Sequence, residues 1–225
     1  MKRIGIGLIL AFAIAGCTQQ ETGSPSATAT RAATPLPTDP PSAGEPAGAL
    51  CAEGHEPCPL EAGTYSAAPF EPGFTFTIHD AWQNDRAFAD GGGISMGVGG
   101  IFWASGVSSG TVGGEEVEIG ASAADFVTFL QSLAAIGVTV SEPQPASVGG
   151  VEGQQLDVET NDIDLPGLYL VEEDTFNLTA DEKARFIVLD MDGEAIILII
   201  DSYAAAGFDD WLETAEPVVE SIAWD

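Results

Sequence analysis

Positive charge is the scarcest property of this 225-residue chain: six Lys and Arg stand against 35 Asp and Glu, a formal net charge of −29. Neither Lys nor Arg occurs in residues 87–182. Such a surface repels polyanions, which argues against nucleic acid and anionic headgroups as partners. It also offers no cationic side chain to clamp a phosphate. Histidine is almost missing, with only His55 and His79. Long apolar runs are missing beyond the first 16 residues. Residues 195–200 are apolar, but a bilayer-spanning helix needs about 20 residues. The acidity itself suits solubility in a salty medium, or else a cationic partner or a divalent ion.

The N-terminus is built differently. Lys2 and Arg3 form a basic start, and residues 4–15 are apolar apart from Gly5 and Gly7. That run is too short for a mature membrane span and fits a signal peptide. It ends in Ile14-Ala15-Gly16-Cys17, an aliphatic residue, two small residues and a cysteine. This resembles the lipobox of bacterial lipoproteins. The resemblance implies a signal peptide over residues 1–16, cleavage before Cys17, and a diacylglycerol on the Cys17 thiol whose acyl chains form the anchor. The expected location is the cell membrane, lipid-anchored, on the extracytoplasmic face. Loss of Lys2 and Arg3 leaves four cations against 35 acids, a net charge of about −31.

Residues 17–59 are expected to be a lipid-anchored, disordered linker with a small loop at its end. Residues 18–50 hold six of the 14 prolines, many Ala, Ser and Thr, and no aromatic residue. Such a composition buries too little apolar surface to offset ordering entropy. As a flexible coil it holds the following domain about 30 Å from the membrane. Cys51 and Cys58 close the linker. With Cys17 acylated they are the remaining thiols, and an oxidising compartment makes a disulfide the default. His55 between them also gives Cys-x3-His-x2-Cys, a zinc-like spacing. A structural zinc site needs four ligands, and only His79 is near in sequence. No metal and no cofactor is expected.

Residues 60–225 are expected to form a single domain. Phe74-Thr75-Phe76-Thr77-Ile78 alternates with period two and predicts a strand. Further strands are expected at 101–104, 155–159 and 168–172. Residues 122–136 predict a helix: Ser122 and Asp125 resemble a capping box, and Phe126, Phe129, Leu130, Leu133 and Ile136 share a face. Residues 185–190 and 195–201 flank Asp192-Gly193, which predicts a hairpin. Ile196 to Ile200 are apolar at every position, as expected for a central strand covered on both faces. Phe208, Trp211, Leu212, Ala215, Val218, Val219 and Ile222 predict a closing helix, with Pro217 kinking or restarting it.

Strands, a helix, more strands, a hairpin and a helix predict an α+β fold with an antiparallel sheet flanked by helices. Ser147-Val148-Gly149-Gly150-Val151-Glu152-Gly153, the late hairpin and the ending Val218-Val219-Glu220-Ser221-Ile222 resemble the PsbP/Mog-like α-β-α sandwich. The opening Leu60-Glu61-Ala62-Gly63-Thr64-Tyr65 resembles uncharacterised exported bacterial domains. The first resemblance implies an accessory or binding protein, and no catalytic residue is carried over from it.

Gly93-Ile94-Ser95-Met96-Gly97 and Gly106-Val107-Ser108-Ser109-Gly110 match the nucleophile-elbow pattern. An elbow needs a helix after the serine and a histidine later in the chain. Here a strand-like segment follows Ser95, and both histidines come earlier. The glycines of residues 91–100 lack a following Lys-Ser/Thr and suit turns and bulges better than a phosphate loop. Asp162, Asp164, Gly167 and Glu173 occupy places of a calcium loop, but Pro166 and Leu170 fill others that want oxygen. Asp190-Met191-Asp192-Gly193 suits a turn. Phe70, Phe74, Phe76, Trp82, Phe102 and Trp103 suit a core before a pocket.

The expected function is therefore a membrane-tethered, non-catalytic binding or accessory module, held to the membrane through Cys17. Its partner is an unknown protein or small molecule, cationic or neutral, and not nucleic acid. The alternatives are an extracytoplasmic carboxylate- or metal-dependent hydrolase and a purely structural envelope component. Converging carboxylates in a concave pocket would favour the enzyme. An exposed apolar patch beside an acidic rim would favour the binder.

Overall fold

The computed structural model describes residues 48–51, 58–170 and 175–225. In chain order these form β1 (Gly48–Ala49), β2 (Cys58–Leu60), β3 (Gly63–Ser66), β4 (Phe74–Ile78), β5 (Trp82–Ala87), β6 (Gly91–Met96), β7 (Gly99–Ala104), β8 (Ser109–Val112) and β9 (Glu115–Glu118). Helix α1 (Ala123–Ser132) and a 3₁₀ turn (Leu133–Ile136) follow. Then come β10 (Thr139–Val140), β11 (Gln144–Val148), β12 (Val151–Glu159), β13 (Leu165–Leu170), β14 (Thr175–Leu178), β15 (Lys183–Met191) and β16 (Glu194–Ser202). A short 3₁₀ turn (Ala205–Gly207), α2 (Phe208–Glu220) and β17 (Ala223–Trp224) end the chain.

The centre is a nine-stranded antiparallel sheet in the order β10-β12-β15-β16-β7-β6-β5-β2, with β11 also on β12. Period-two alternation divides its side chains between two cores. On β15 and β16, Ile187, Leu189, Ile196, Leu198 and Ile200 enter one. Phe186, Val188, Ala195, Ile197 and Ile199 enter the other. Each fully buried Leu or Ile contributes about 1.5–3 kcal/mol relative to exposure, so this hairpin anchors both cores at once. The first core is closed by α2 and the four-stranded sheet β1-β3-β4-β17. The second is closed by α1 and the four-stranded sheet β14-β13-β8-β9.

The expected α+β class and helix-flanked α-β-α sandwich are thus corrected. Strands hold 51% of the described residues and helices 18%, so the fold is mainly β. The physical reason lies in the outer layers. One helix of 10 residues and one of 13 are too short to cover nine strands. On each face a small sheet covers the rest. Apart from β4, which its alternation announced, and β13, which was expected in part, the strands of these small sheets are short and their alternation is too weak to announce them.

The individual elements agree more closely. Ser122 caps α1, its hydroxyl accepting the Asp125 amide at 3.2 Å. Asp192 and Gly193 take φ values of 56° and 90° in the β15–β16 turn, the left-handed pair of a two-residue hairpin. Helix α2 runs through Pro217 without a break. The glycines of 91–93 were expected in turns or bulges; they lie within β6, whose pairing with β5 shifts register opposite Gly93 and Ile94. A Cβ on Gly92 would stand 2.7 Å from the Trp103 ring of β7, so bare backbone there makes room for an aromatic neighbour. The expected strand at 168–172 appears as β13, while Val171 and Glu172 lie outside the described residues.

Candidate functional site

The most unusual chemistry lies where β16 leaves the second core. In register, Asp201 of β16 stands between Ala184 of β15 and Gly100 of β7, and Gly100 faces Ser95 of β6. Alternation puts Asp201 on the same face as Ile197 and Ile199, so a carboxyl takes the next place in a row of core side chains. Asp201 is only 3% exposed. Its Oδ1 is buried and has no hydrogen-bond partner. An unsatisfied buried polar atom costs about 1–3 kcal/mol. Burial holds this carboxyl well above the usual carboxylate range, and the Glu182 carboxylate adds to the effect.

Glu182 is held in place by the turn before β15. Its Oε2 accepts the Thr179 amide at 2.7 Å, and its own amide donates to Thr160 Oγ1 at 3.0 Å. The fully buried Thr160 hydroxyl turns back to the Thr179 and Glu182 carbonyls. Tyr203 completes the group from the other side. Its phenol hydrogen-bonds Ser95, two strands away. Gly100 presents no side chain between them. Burial first, then Asp201 and Asp85, push the Tyr203 hydroxyl up to about 12, against the pull of the Ser95 bond.

Beside this group lies an uncharged surface. Val98, at the tip of the β6–β7 hairpin, is 62% exposed, and Tyr203 is 43% exposed. They are the exposed large apolar side chains among the described residues. The Tyr203 amide donates to the Val98 carbonyl at 3.1 Å, tying the two segments together. Gly97, Ala204 and Ala206 are exposed alongside. Acids border the spot: the Ala205 amide binds the Asp181 carbonyl at 2.7 Å, and Asp209 and Asp210 open α2 just beyond.

The residues singled out by sequence have other places. Cys51 and Cys58 form a disulfide, with 6.4 Å between their Cα atoms. The Cys51 amide donates to Asn84 Oδ1 and Asn84 Nδ2 to the Gly93 carbonyl, so the bridge is tied to β5 and β6. Cys17 and His55 lie outside the described residues. Ser95 sits in β6 and Ser108 just before β8, neither at a strand-to-helix turn. Asp164 Oδ1 accepts the Ala180 amide at 2.9 Å, while Glu173 lies outside the described residues. Among the described residues no group of three or more His, Cys, Asp and Glu is arranged to hold a metal ion. Phe70, Phe74, Phe76, Trp82 and Trp103 are buried in the first core, and Phe102 packs on the second.

A cleft of about 140 Å³ between β11, β15 and α2 is lined by Val148, Ile200, Val219, Arg185 and Glu216. Arg185 is not free to take an anion there. Its Nε donates to Asp157 Oδ1 at 2.8 Å and its Nη1 to Glu216 Oε1 at 2.7 Å. The bond to Asp157 raises its pKa further.

Sequence reasoning passed over Val98, Asp201 and Tyr203. One signal was available. Asp201 directly follows five apolar residues near the end of β16, and such a strand buries both faces. Compared with known proteins, the chain matches no family model and no curated protein.

Proposed function

We propose that this protein is an extracytoplasmic lipoprotein, anchored through Cys17, whose folded unit is a non-catalytic binding module for a cationic or neutral partner. The observation that carries this reading is the exposed Val98–Tyr203 spot beside Asp181, Glu182, Asp201, Asp209 and Asp210. Apolar contact supplies affinity, and the acidic border selects against anions. Two interacting carboxylates could instead suggest acid–base catalysis. Glu182 is committed to a backbone amide, however, and Asp201 is nearly sealed from solvent. Neither is placed to meet a substrate in the state described.

The test uses the full chain in neutral detergent against basic peptides, neutral peptides and DNA at two salt concentrations, with a chelator arm. Binding to a basic or neutral peptide is expected, and replacing both Val98→Ser and Tyr203→Ser should weaken it about tenfold or more. Chelator-resistant, salt-sensitive binding to DNA would overturn the assignment. Anchoring is tested separately: Cys17→Ala should abolish incorporation of labelled palmitate, and equal labelling of variant and parent would remove the lipid anchor.

A further inference from the structure

We propose that the cleft between β11, β15 and α2 binds a small organic amine, its ring or short alkyl chain seated inside and its ammonium at the rim formed by Glu216 and Glu220. The cleft arises where the apolar part of the sheet ends. Alternation brings Ile187 of β15 and Ile200 of β16 into the first core, under α2. One strand further out, the same face of β12 carries Gln155 opposite Ile187 and Asp157 opposite Arg185. Helix α2 sets Val218 and Val219 on the apolar part. Val148, at the end of β11, stands on the other side, its carbonyl held by Trp224 Nε1 at 3.0 Å. The space between is about 140 Å³, and its floor residues Val148, Ile187, Ile200 and Val219 are all buried. Packed interiors leave few voids larger than a water molecule. An apolar cavity of about 150 Å³ holds a benzene ring, so one ring or a short chain fits here.

The rim selects the charge. Glu216 and Glu220 both line the cleft, one turn apart near the C-terminal end of α2. Like charges at that spacing repel, and the helix dipole disfavours negative charge at that end. No basic residue occupies the last turn. Glu220 is exposed and pairs with no cation among the described residues. Arg185 is spoken for: Asp157 accepts from its Nε and Nη2, and Glu216 Oε1 from its Nη1. Lys183 is engaged by Asp157 and Glu159, at 3.9 and 4.0 Å. An ammonium between Glu216 and Glu220 offsets their repulsion and brings three donors. The apolar part of the same molecule displaces water that the floor side chains cannot hydrogen-bond. An anion is repelled by this rim. A metal ion leaves the floor wet, and the described residues hold no ligand group for one. The cleft shares no residue with the Val98–Tyr203 spot, so the two sites are separable.

The experiment follows the methyl resonances of Ile, Leu and Val in the full chain, in neutral detergent near neutral pH. The probes are benzylamine, benzyl alcohol and benzoate, which share a ring and differ in charge. Benzylamine is expected to shift the Val148, Ile187, Ile200 and Val219 methyls saturably. It should bind about fivefold more tightly than benzyl alcohol, the scale of one partly exposed ion pair. Benzoate should bind at least about tenfold more weakly than benzylamine. Glu220→Gln, at an exposed position, should remove most of the preference for the amine and leave the alcohol unchanged. Ala146→Leu puts a larger side chain into the cleft and should weaken amine and alcohol alike, with circular dichroism verifying its fold. Val98→Ser should change nothing here. No saturable shift of these methyls, benzoate binding as tightly as benzylamine, or an undiminished amine preference in Glu220→Gln would each overturn the proposal. So would a folded Ala146→Leu chain that binds as the parent does. A basic peptide that shifts these methyls where benzylamine does not would overturn the small-molecule assignment and make the cleft a protein-docking site.

Discussion

The β15–β16 hairpin carries an aspartate near each end, and the two live in opposite environments. Asp190 stands opposite Ala195, next to the turn, and Asp201 stands opposite Ala184, at the open end. The Asp190 carboxylate is exposed and accepts the Gly193 amide at 2.9 Å. Asp201 is buried, with one oxygen unpaired. Residue type, strand pair and cross-strand partner are the same. What differs is what covers each position. At the turn the sheet opens to water, which solvates the charge. At the other end Glu182, Tyr203 and the Phe102 side of the second core replace that water. Asp190 therefore organises local backbone, whereas Asp201 stores an unmet demand for a donor.

That contrast can be tested by breaking each end. The largest effect is expected from Trp211→Ala. Trp211 is 3% exposed in the first core, and its ring crowds Gly99, close to the Asp201 carbonyl. Its loss should cost about 3–5 kcal/mol in urea unfolding. A cost below about 1 kcal/mol would mean that the first core does not brace the Asp201 end. Opening the disulfide by replacing Cys51 and Cys58 with Ser is expected to cost about 2–3 kcal/mol, on the chain-entropy view of a short loop. Unfolding midpoints of the two oxidised and Ser-substituted chains measure it.

A third test reads a slope. Asp201 has its folded pKa raised above the unfolded value. Such a group contributes stability below its unfolded pKa, and that contribution is lost as pH rises through the folded pKa. The parent chain should lose stability on that rise, and Asp201→Asn should flatten the loss. An identical slope in both chains would show that Asp201 is not the titrating group. Tyr203 acts likewise at higher pH, its contribution fading between its normal value of 10.0 and about 12. At the turn end, Gly193→Ala places a Cβ at φ 90° and should cost about 1 kcal/mol or somewhat more. Asp190→Ala should cost least, about 0.5–1.5 kcal/mol for one exposed bond. If Asp190→Ala proved as costly as Trp211→Ala, the supposed difference between the two ends would disappear.

Legibility followed the strength of local signals. Asp192-Gly193 between apolar runs named the hairpin, because few residues accept two successive left-handed conformations. Ser122 and the Phe126–Phe129–Leu130–Leu133 face named α1. The Phe74–Ile78 alternation named β4. By contrast, β8, β9, β13 and β14 were missed or only half seen, and with them the covering sheet that makes the fold mainly β. Their sequences alternate weakly, since each strand is held mostly by its neighbours. The site was less legible still. Val98 reads as an ordinary hairpin residue and Tyr203 as a residue after a strand. Only register places them beside each other, 105 positions apart in the chain.

The sequence by itself determined the charge and much of the local structure. The net charge of −29 follows from composition. The apolar run from Ile196 to Ile200 required a strand covered on both faces. These are properties of short stretches, and short-range chemistry decides them. Tertiary structure alone decided which sheet covers which helix and which carboxylate loses its water. Asp190 and Asp201 are the same residue in one hairpin, so no local pattern separates them. Burial does, because a carboxylate's energy depends on the groups that replace solvent around it. For Asp201 those are Glu182 and Tyr203, brought in from the turn before β15 and from beyond the end of β16.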